Sequence, residues 1–194
     1  MENHIHIQTK NSFLSTQNFE DIRDIITSCI DEIKNQLIEY PLIMVYGKQC
    51  KQRRSIGFFS DTSIGYFYSG QLCESKPLTN NLILLLEEVN NRVHADFNGI
   101  LVNKYISGDD YISKHSDDET GLDNVGVVSI SYGAVRKFRI REKNSGKKVV
   151  DIPTLPYYLI HMGGDFQKEF THEIPVEKKV KDTRYSFTFR KHTT

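Results

Sequence analysis

Residues 115–119 read HSDDE, and they combine an imidazole with three acids. His115 and Asp117 are two apart, so on an extended segment they point to the same side. One imidazole and one carboxylate on one side form part of a divalent-metal site, and His172 in EFTHEIP is the candidate third ligand. Two histidines and one carboxylate on one face of an ion make the facial triad of non-haem Fe(II) oxygenases, which leaves positions open for a cosubstrate and O2. Taken alone, H-x-D also fits a surface histidine beside solvated acids.

The stretch RYSFTFR adds a second constellation. Tyr185, Phe187 and Phe189 alternate with Arg184, Ser186, Thr188 and Arg190, giving one aromatic and one polar face. The two arginine Cα atoms would lie about 20 Å apart on a strand, a gap the side chains would narrow to about the length of a five-carbon dicarboxylate. Arginine grips carboxylates with two parallel donors. An edge strand with a solvated face fits the same pattern. Asn103 and Tyr105 share a strand face shortly before His115, and both carry donors suited to a carboxylate or ketone oxygen. A polar strand face with a half-buried Tyr is the alternative.

The elements that must position these residues divide the chain into an α-rich first half and a β-rich second half. Ile22, Ile25, Ile26, Cys29, Ile30, Ile33 and Leu37 recur at helical spacing, which predicts a helix over about 19–38 with Asn18 as cap. A second helix is predicted after Pro77, with Leu82, Leu85, Leu86, Val89 and Val93 as its buried stripe. The aromatic- and glycine-rich stretch between them reads as strands and loops. From Gly99 on, short runs such as GILVNKYI, VGVVSISYG and YYLIHMG are separated by Gly, Pro, Asp or Asn, with no helical period between them. The expected fold class is α+β: a mostly antiparallel sandwich or jelly roll with the helices packed on one face.

Composition narrows the function classes. The chain has 194 residues, a length for one domain with a sizeable core. Lys+Arg and Asp+Glu number 25 each, so no global field recruits nucleic acid and any such contact must come from local patches. Cys29, Cys50 and Cys73 are widely spaced and odd in number, which points to free thiols in a reducing compartment and against a cysteine zinc site. No signal-peptide pattern and no apolar run of membrane-spanning length are visible. The expectation is an intracellular protein with no membrane association.

NKYISGDDYISKHSDDE, SISYGAVRKFRIR, MGGDFQKEFTHEIP and RYSFTFR, in this order and spacing, resemble the AlkB family of Fe(II)- and 2-oxoglutarate-dependent dioxygenases. These motifs span residues 99–191, about half the chain, and VYGKQCKQRR with GYFYSG resembles the lid of the eukaryotic-type nucleic acid demethylases in that family. The resemblance implies a double-stranded β-helix, with residues 1–98 as helices plus nucleotide-recognition lid and residues 99–194 as the catalytic core of one domain. It implies Fe(II) on His115, Asp117 and His172, with 2-oxoglutarate as cosubstrate held by Arg184, Arg190, Asn103 and Tyr105.

The implied reaction is oxidative dealkylation of 1-methyladenine- or 3-methylcytosine-type bases in DNA and/or RNA. O2 and 2-oxoglutarate are consumed, succinate and CO2 are released, and the methyl group leaves as formaldehyde. Such a target base must leave its stack. Tyr66 and Tyr68 match the family's base-contacting aromatics, and Asp118 and Glu119 would lie at the pocket floor, favouring a cationic alkylated base. Tyr46 stands where a double-strand-specific relative carries an intercalating apolar residue. Two basic runs, Lys48, Lys51, Arg53 and Arg54, and Arg136, Lys137, Arg139 and Arg141, are candidate phosphate contacts. The implied partner is alkylated nucleic acid, the implied state a monomer, and the compartment the nucleus or cytoplasm. A hydroxylase or demethylase of protein or lipid with the same fold, and a catalytically inactive nucleic-acid-binding module, are the competing readings.

Overall fold

Along the chain, the strands of the computed structural model are β1 (Asn3–Gln8), β2 (Ser12–Asn18), β3 (Leu42–Val45), β4 (Lys48–Lys51), β5 (Ser55–Phe59), β6 (Gly65–Tyr68), β7 (Gln71–Lys76), β8 (Gly99–Tyr105), β9 (Ile112–His115), β10 (Val127–Gly133), β11 (Lys137–Glu142), β12 (Lys148–Pro153), β13 (Tyr158–Gly164), β14 (Phe170–Ile174) and β15 (Arg184–Arg190). The helices are α1 (Arg23–Ile33), α2 (Asn80–Val93) and the short α3 (Phe166–Glu169). The structure describes residues 3–45, 47–68, 71–117 and 126–192.

Among the described residues, two main sheets face each other. The larger runs β1-β2-β13-β10-β15-β8-β5-β7-β6 and the smaller β12-β11-β14-β9. Pairing is antiparallel except between β5 and β7, and β3 and β4 form a separate hairpin. This is the jelly roll that the strand pattern predicts. The alternation in β15 divides two environments. Tyr185, Phe187 and Phe189 join Leu85, Val89, Ile26 and Ile33 in a core between the large sheet and the helices. Arg184, Ser186, Thr188 and Arg190 face the other way, into a cavity between the sheets. A second apolar cluster, including Phe138, Ile140, Met162, Phe166 and Ile174, closes that inter-sheet space.

β15 lies between β8 and β10, with every residue buried, so it is a central strand and not an edge with a solvated face. The first half is also less helical than its periodicity suggests. β1 and β2 extend the large sheet beyond β13. The first helical segment begins as a 3-10 turn over Glu20–Ile22, with Asn18 Oδ1 accepting from the Glu20 amide at 3.0 Å. It ends at Ile33, because Ile38 forms a two-way bridge to Ile56 of β5 (2.7 and 3.0 Å) and a helix reaching residue 38 would break it. α2 starts at its predicted place, capped by Thr79 Oγ1, which accepts from the Leu82 amide at 3.3 Å.

One glycine sets how the loop before β9 meets the loop after β14. Gly108, between β8 and β9, donates to Val180 O (2.9 Å) and accepts from the Glu177 amide (2.8 Å). A Cβ there would stand 1.9 Å from Glu177 O, so only glycine allows this approach. No helix among the described residues is long and apolar enough to cross a membrane.

Candidate active site

β9 and β14 are paired so that His115 and His172 are direct cross-strand neighbours. This places the two imidazoles with ring centroids 4.3 Å apart. Asp117 follows β9 and is held from behind. Its amide donates to Gln167 Oε1 at 2.9 Å, and the neighbouring Ser116 hydroxyl donates to Phe170 O at 2.9 Å. Asp117 Oδ1 lies 3.8 Å from His115 Nε2, and Oδ2 lies 3.5 Å from His172 Nε2. The three donor atoms all fall within 4.8 Å of one another, the separation that ligands of a single ion require.

His115 Nδ1 sits 2.8 Å from Ser113 O. A carbonyl only accepts, so Nδ1 carries the proton and Nε2 presents its lone pair to the site. Burial pushes His172 down to about 3, with His115 adding to the effect, and burial also lowers His115. Both rings are therefore neutral at physiological pH, the form that binds metal. Burial alone would raise Asp117, but the Arg190 guanidinium, His172 and His115 outweigh it and hold the carboxyl well below the usual carboxylate range. A carboxylate and two neutral imidazoles, converging in a site shielded from water, fit Fe(II).

The cosubstrate candidates line the same cavity. Arg190, 1% exposed, pairs with Asp117 Oδ1 at 3.2 Å and lies over the Tyr66 ring at 4.8 Å. Arg184 is 3% exposed at the far end of the strand, where its Nη2 donates to Ser131 Oγ (2.9 Å) and its Nε to Thr154 Oγ1 (3.2 Å). Its Nη1 is buried with no hydrogen-bond partner among the described residues. Burial pushes this guanidinium down to about 10, so it is still a cation at neutral pH, and its nearest partners are hydroxyls. A buried cation with an open donor calls for an anion. Tyr105 stands opposite Arg184 in the β8–β15 register, and Asn103 stands opposite Ser186. The cavity fits a dicarboxylate with one end near the metal ligands and the other on Arg184.

Of the aromatic candidates, Tyr66 lines the cavity and Tyr68 packs beside it. Tyr66 and Tyr68 stack at 6.1 Å with an 18° interplanar angle, and Tyr68 meets His115 edge-on at 6.1 Å. Tyr46, Asp118 and Glu119 lie outside the described residues, so their expected roles rest on sequence alone.

The basic runs sort differently from their expectation. β4 is exposed throughout, Lys48 and Lys51 included, and the alternation after it exposes Arg53 but buries Arg54, which is 2% exposed and donates from Nε to Asn103 Oδ1 at 2.7 Å. Arg54 therefore packs behind the cavity-lining Asn103 and is not a surface phosphate contact. Arg136 is also 2% exposed; it donates to Ser107 O, Asp110 O and Pro175 O (3.0, 2.8 and 2.7 Å) and pairs with Glu177. It clamps the catalytic loops from inside and presents nothing to a phosphate. Arg139 grips Asp151 with two bonds (2.7 and 2.9 Å), and Arg141 pairs with Glu173 at 3.0 Å. The three arginines of the 136–141 run are thus each paired with an acid, Asp151 and Glu173 of their own sheet and Glu177 after β14.

Sequence reasoning missed Ser131, Thr154 and Gln167, which orient Arg184 and the metal loop. Ser131 shares a face of β10 with cavity-lining Ser129, a usable signal. Thr154 and Gln167 act across long sequence separations and carry none.

A family described as the 2OG-Fe(II) oxygenase superfamily matches residues 9–190 of this chain. "DNA oxidative demethylase ALKBH2" of Homo sapiens is 32% identical over 157 residues, covering 77% of this chain and 60% of that protein. The Bos taurus protein of the same name is 34% identical over 161 residues, covering 77% and 56%. "Alpha-ketoglutarate-dependent dioxygenase alkB homolog 3" of Bos taurus is 30% identical over 135 residues, covering 64% and 47%. The chain thus spans about half to three-fifths of the length of these curated relatives. A solved structure titled "The structure of OsALKBH1" superposes with a TM-score of 0.61 at 15% identity, covering 97% of this chain and 100% of that one, a likeness of fold.

Proposed function

The chain belongs to the 2OG-Fe(II) oxygenase superfamily, and from that premise we propose that it oxidatively removes alkyl groups from base nitrogens of DNA or RNA. The observation that carries the substrate half of this reading is the stacked Tyr66–Tyr68 wall beside His115. Flat, parallel rings next to metal ligands suit a flipped base, and stacking on such rings is worth about 1–3 kcal/mol per base. The relatives named as demethylases support the same reading.

In this reading His115, Asp117 and His172 hold Fe(II), and Arg184 and Arg190 hold 2-oxoglutarate with Asn103 and Tyr105. When bound, the metal and cosubstrate supply O2-dependent hydroxylation of the alkyl carbon, whose product loses formaldehyde to leave the unmodified base. The protein's part is orientation and exclusion of water. Ser113 fixes the His115 tautomer, Gln167 and Ser116 fix the Asp117 loop, and Ser131 and Thr154 aim Arg184. Asp118 and Glu119 would accept from the exocyclic amine of an alkylated base. Lys48, Lys51 and Arg53 are the exposed cations left to meet the strand's phosphates. The protein acts as a monomer in the nucleus or cytoplasm.

The test is anaerobic reconstitution with Fe(II) and 2-oxoglutarate, then exposure to air with oligonucleotides bearing 1-methyladenine or 3-methylcytosine, single- and double-stranded, read by mass. Dealkylation of either lesion supports the proposal. Succinate formation that no oligonucleotide stimulates favours a protein or lipid substrate.

A further inference from the structure

Arg54 has no role in the chemistry above, yet it touches both the cavity-lining Asn103 and the aromatic Tyr68. It is buried, and its Nε donates to Asn103 Oδ1 at 2.7 Å. That bond decides which way the Asn103 amide points: the oxygen faces Arg54, and Nδ2 faces Ser186 Oγ at 3.4 Å, on the cavity side. The same guanidinium lies over the Tyr68 ring, 5.0 Å from its centroid. Its Nη2 is buried without a hydrogen-bond partner among the described residues, so Asn103 and Tyr68 are the contacts that hold it.

We propose that Arg54 is a positioning residue that couples the two binding halves of the site. Through Nε it sets the donor face of Asn103 toward 2-oxoglutarate, and through its planar face it fixes the Tyr68 ring that stacks on the base. The role of Tyr68 rests on the base-binding reading above; the link from Arg54 to Asn103 does not. Disturbance on either side passes through one guanidinium, so a change at the aromatic wall is felt by the cosubstrate.

The test needs no oligonucleotide. 2-Oxoglutarate is titrated into anaerobic Mn(II)-loaded protein by calorimetry. Arg54→Met and Asn103→Ala should each weaken 2-oxoglutarate binding about tenfold, the size of one hydrogen bond to a charged group. The double variant should be no weaker than either single one, because both remove the same bond. Arg54→Lys should not rescue, since an ammonium keeps the charge but lacks the oriented Nε and the planar face. Tyr68→Leu, which alters only the wall, should weaken 2-oxoglutarate about threefold, the scale of one cation–π contact. Should Arg54→Met not fold, the Tyr68→Leu and Asn103→Ala pair carries the test, and their effects should again be less than additive. Additive effects, full rescue by lysine, or wild-type 2-oxoglutarate affinity in Tyr68→Leu would each overturn the coupling. Failure of the lesion assay with this coupling intact would count against the base reading alone.

Discussion

At the scale of single residues, the metal site was the most legible part of the chain. His115 and Asp117 declare themselves by spacing, and His172 by type, because few side chains bind Fe(II) and the β9–β14 register then brings them together. Two other buried arginines were not legible. Arg54 and Arg136 look like members of surface runs, and only tertiary contacts reveal that one lies beside Asn103 and the other spends its donors on three carbonyls. The three ligands should also differ on substitution. Removing the carboxylate in Asp117→Ala breaks the buried Asp117–Arg190 pair, a loss of about 3–5 kcal/mol. His115→Ala removes a neutral ring and should cost far less. Both should lose Mn(II) binding and turnover, while the thermal midpoint of the metal-free protein falls sharply only in Asp117→Ala; equal midpoints would mean that Arg190 does not depend on Asp117. The depressed pKa of His172 has a consequence of definite sign. Below its ordinary value of 6.5 the unfolded chain binds a proton that the folded chain refuses until about pH 3. Metal-free stability should therefore decline as pH falls from about 6.5 toward 3. His172→Asn should flatten that decline in pH-dependent denaturant titrations.

At the scale of elements, α2 and the strands after Gly99 followed from periodicity, while the end of α1 did not. The stripe Ile22–Leu37 runs on past the helix because Leu37 still packs partly against the core while Ile38 has turned to bridge β5. Apolar spacing reports burial, and here burial continues after the helical hydrogen bonds stop. β1 and β2 were missed although they pair locally with each other, because the partner that ties β2 into the large sheet is β13, nearly 150 residues away. Two substitutions separate the layers. Leu85→Ala, in the helix-to-sheet core, should cost about 2–5 kcal/mol in denaturant melts and leave 2-oxoglutarate affinity unchanged in the remaining folded protein. Gly108→Ala would put its Cβ 1.9 Å from Glu177 O, so the two loops cannot stay where they are. It should separate the two catalytic loops and lower turnover more than stability. A turnover near wild type would mean that the loops are held by Arg136 alone.

At the scale of the whole molecule, the balance of 25 basic and 25 acidic residues makes the placement of charge decisive. The arginines of the 136–141 run are paired with Glu177, Asp151 and Glu173, so the first basic run, with Lys48, Lys51 and Arg53 exposed, is the one offered to a strand. Lys48→Glu with Lys51→Glu should weaken oligonucleotide binding whatever the lesion and flatten its salt dependence. Arg139→Gln with Arg141→Gln should cost stability and leave the salt slope unchanged. The reverse pattern would move the strand's path to the small sheet. The central claim, that the His115–Asp117–His172 site works on an alkylated base, is tested most directly by one mass measurement. A single-stranded oligonucleotide carrying one 1-methyladenine or 3-methylcytosine is incubated with Fe(II), 2-oxoglutarate and O2. The wild-type protein should convert it to a product lighter by one methylene, and the Asp117→Ala protein should leave it intact. An unchanged oligonucleotide with wild-type protein that demonstrably binds metal and 2-oxoglutarate, or full conversion by Asp117→Ala, would contradict the account.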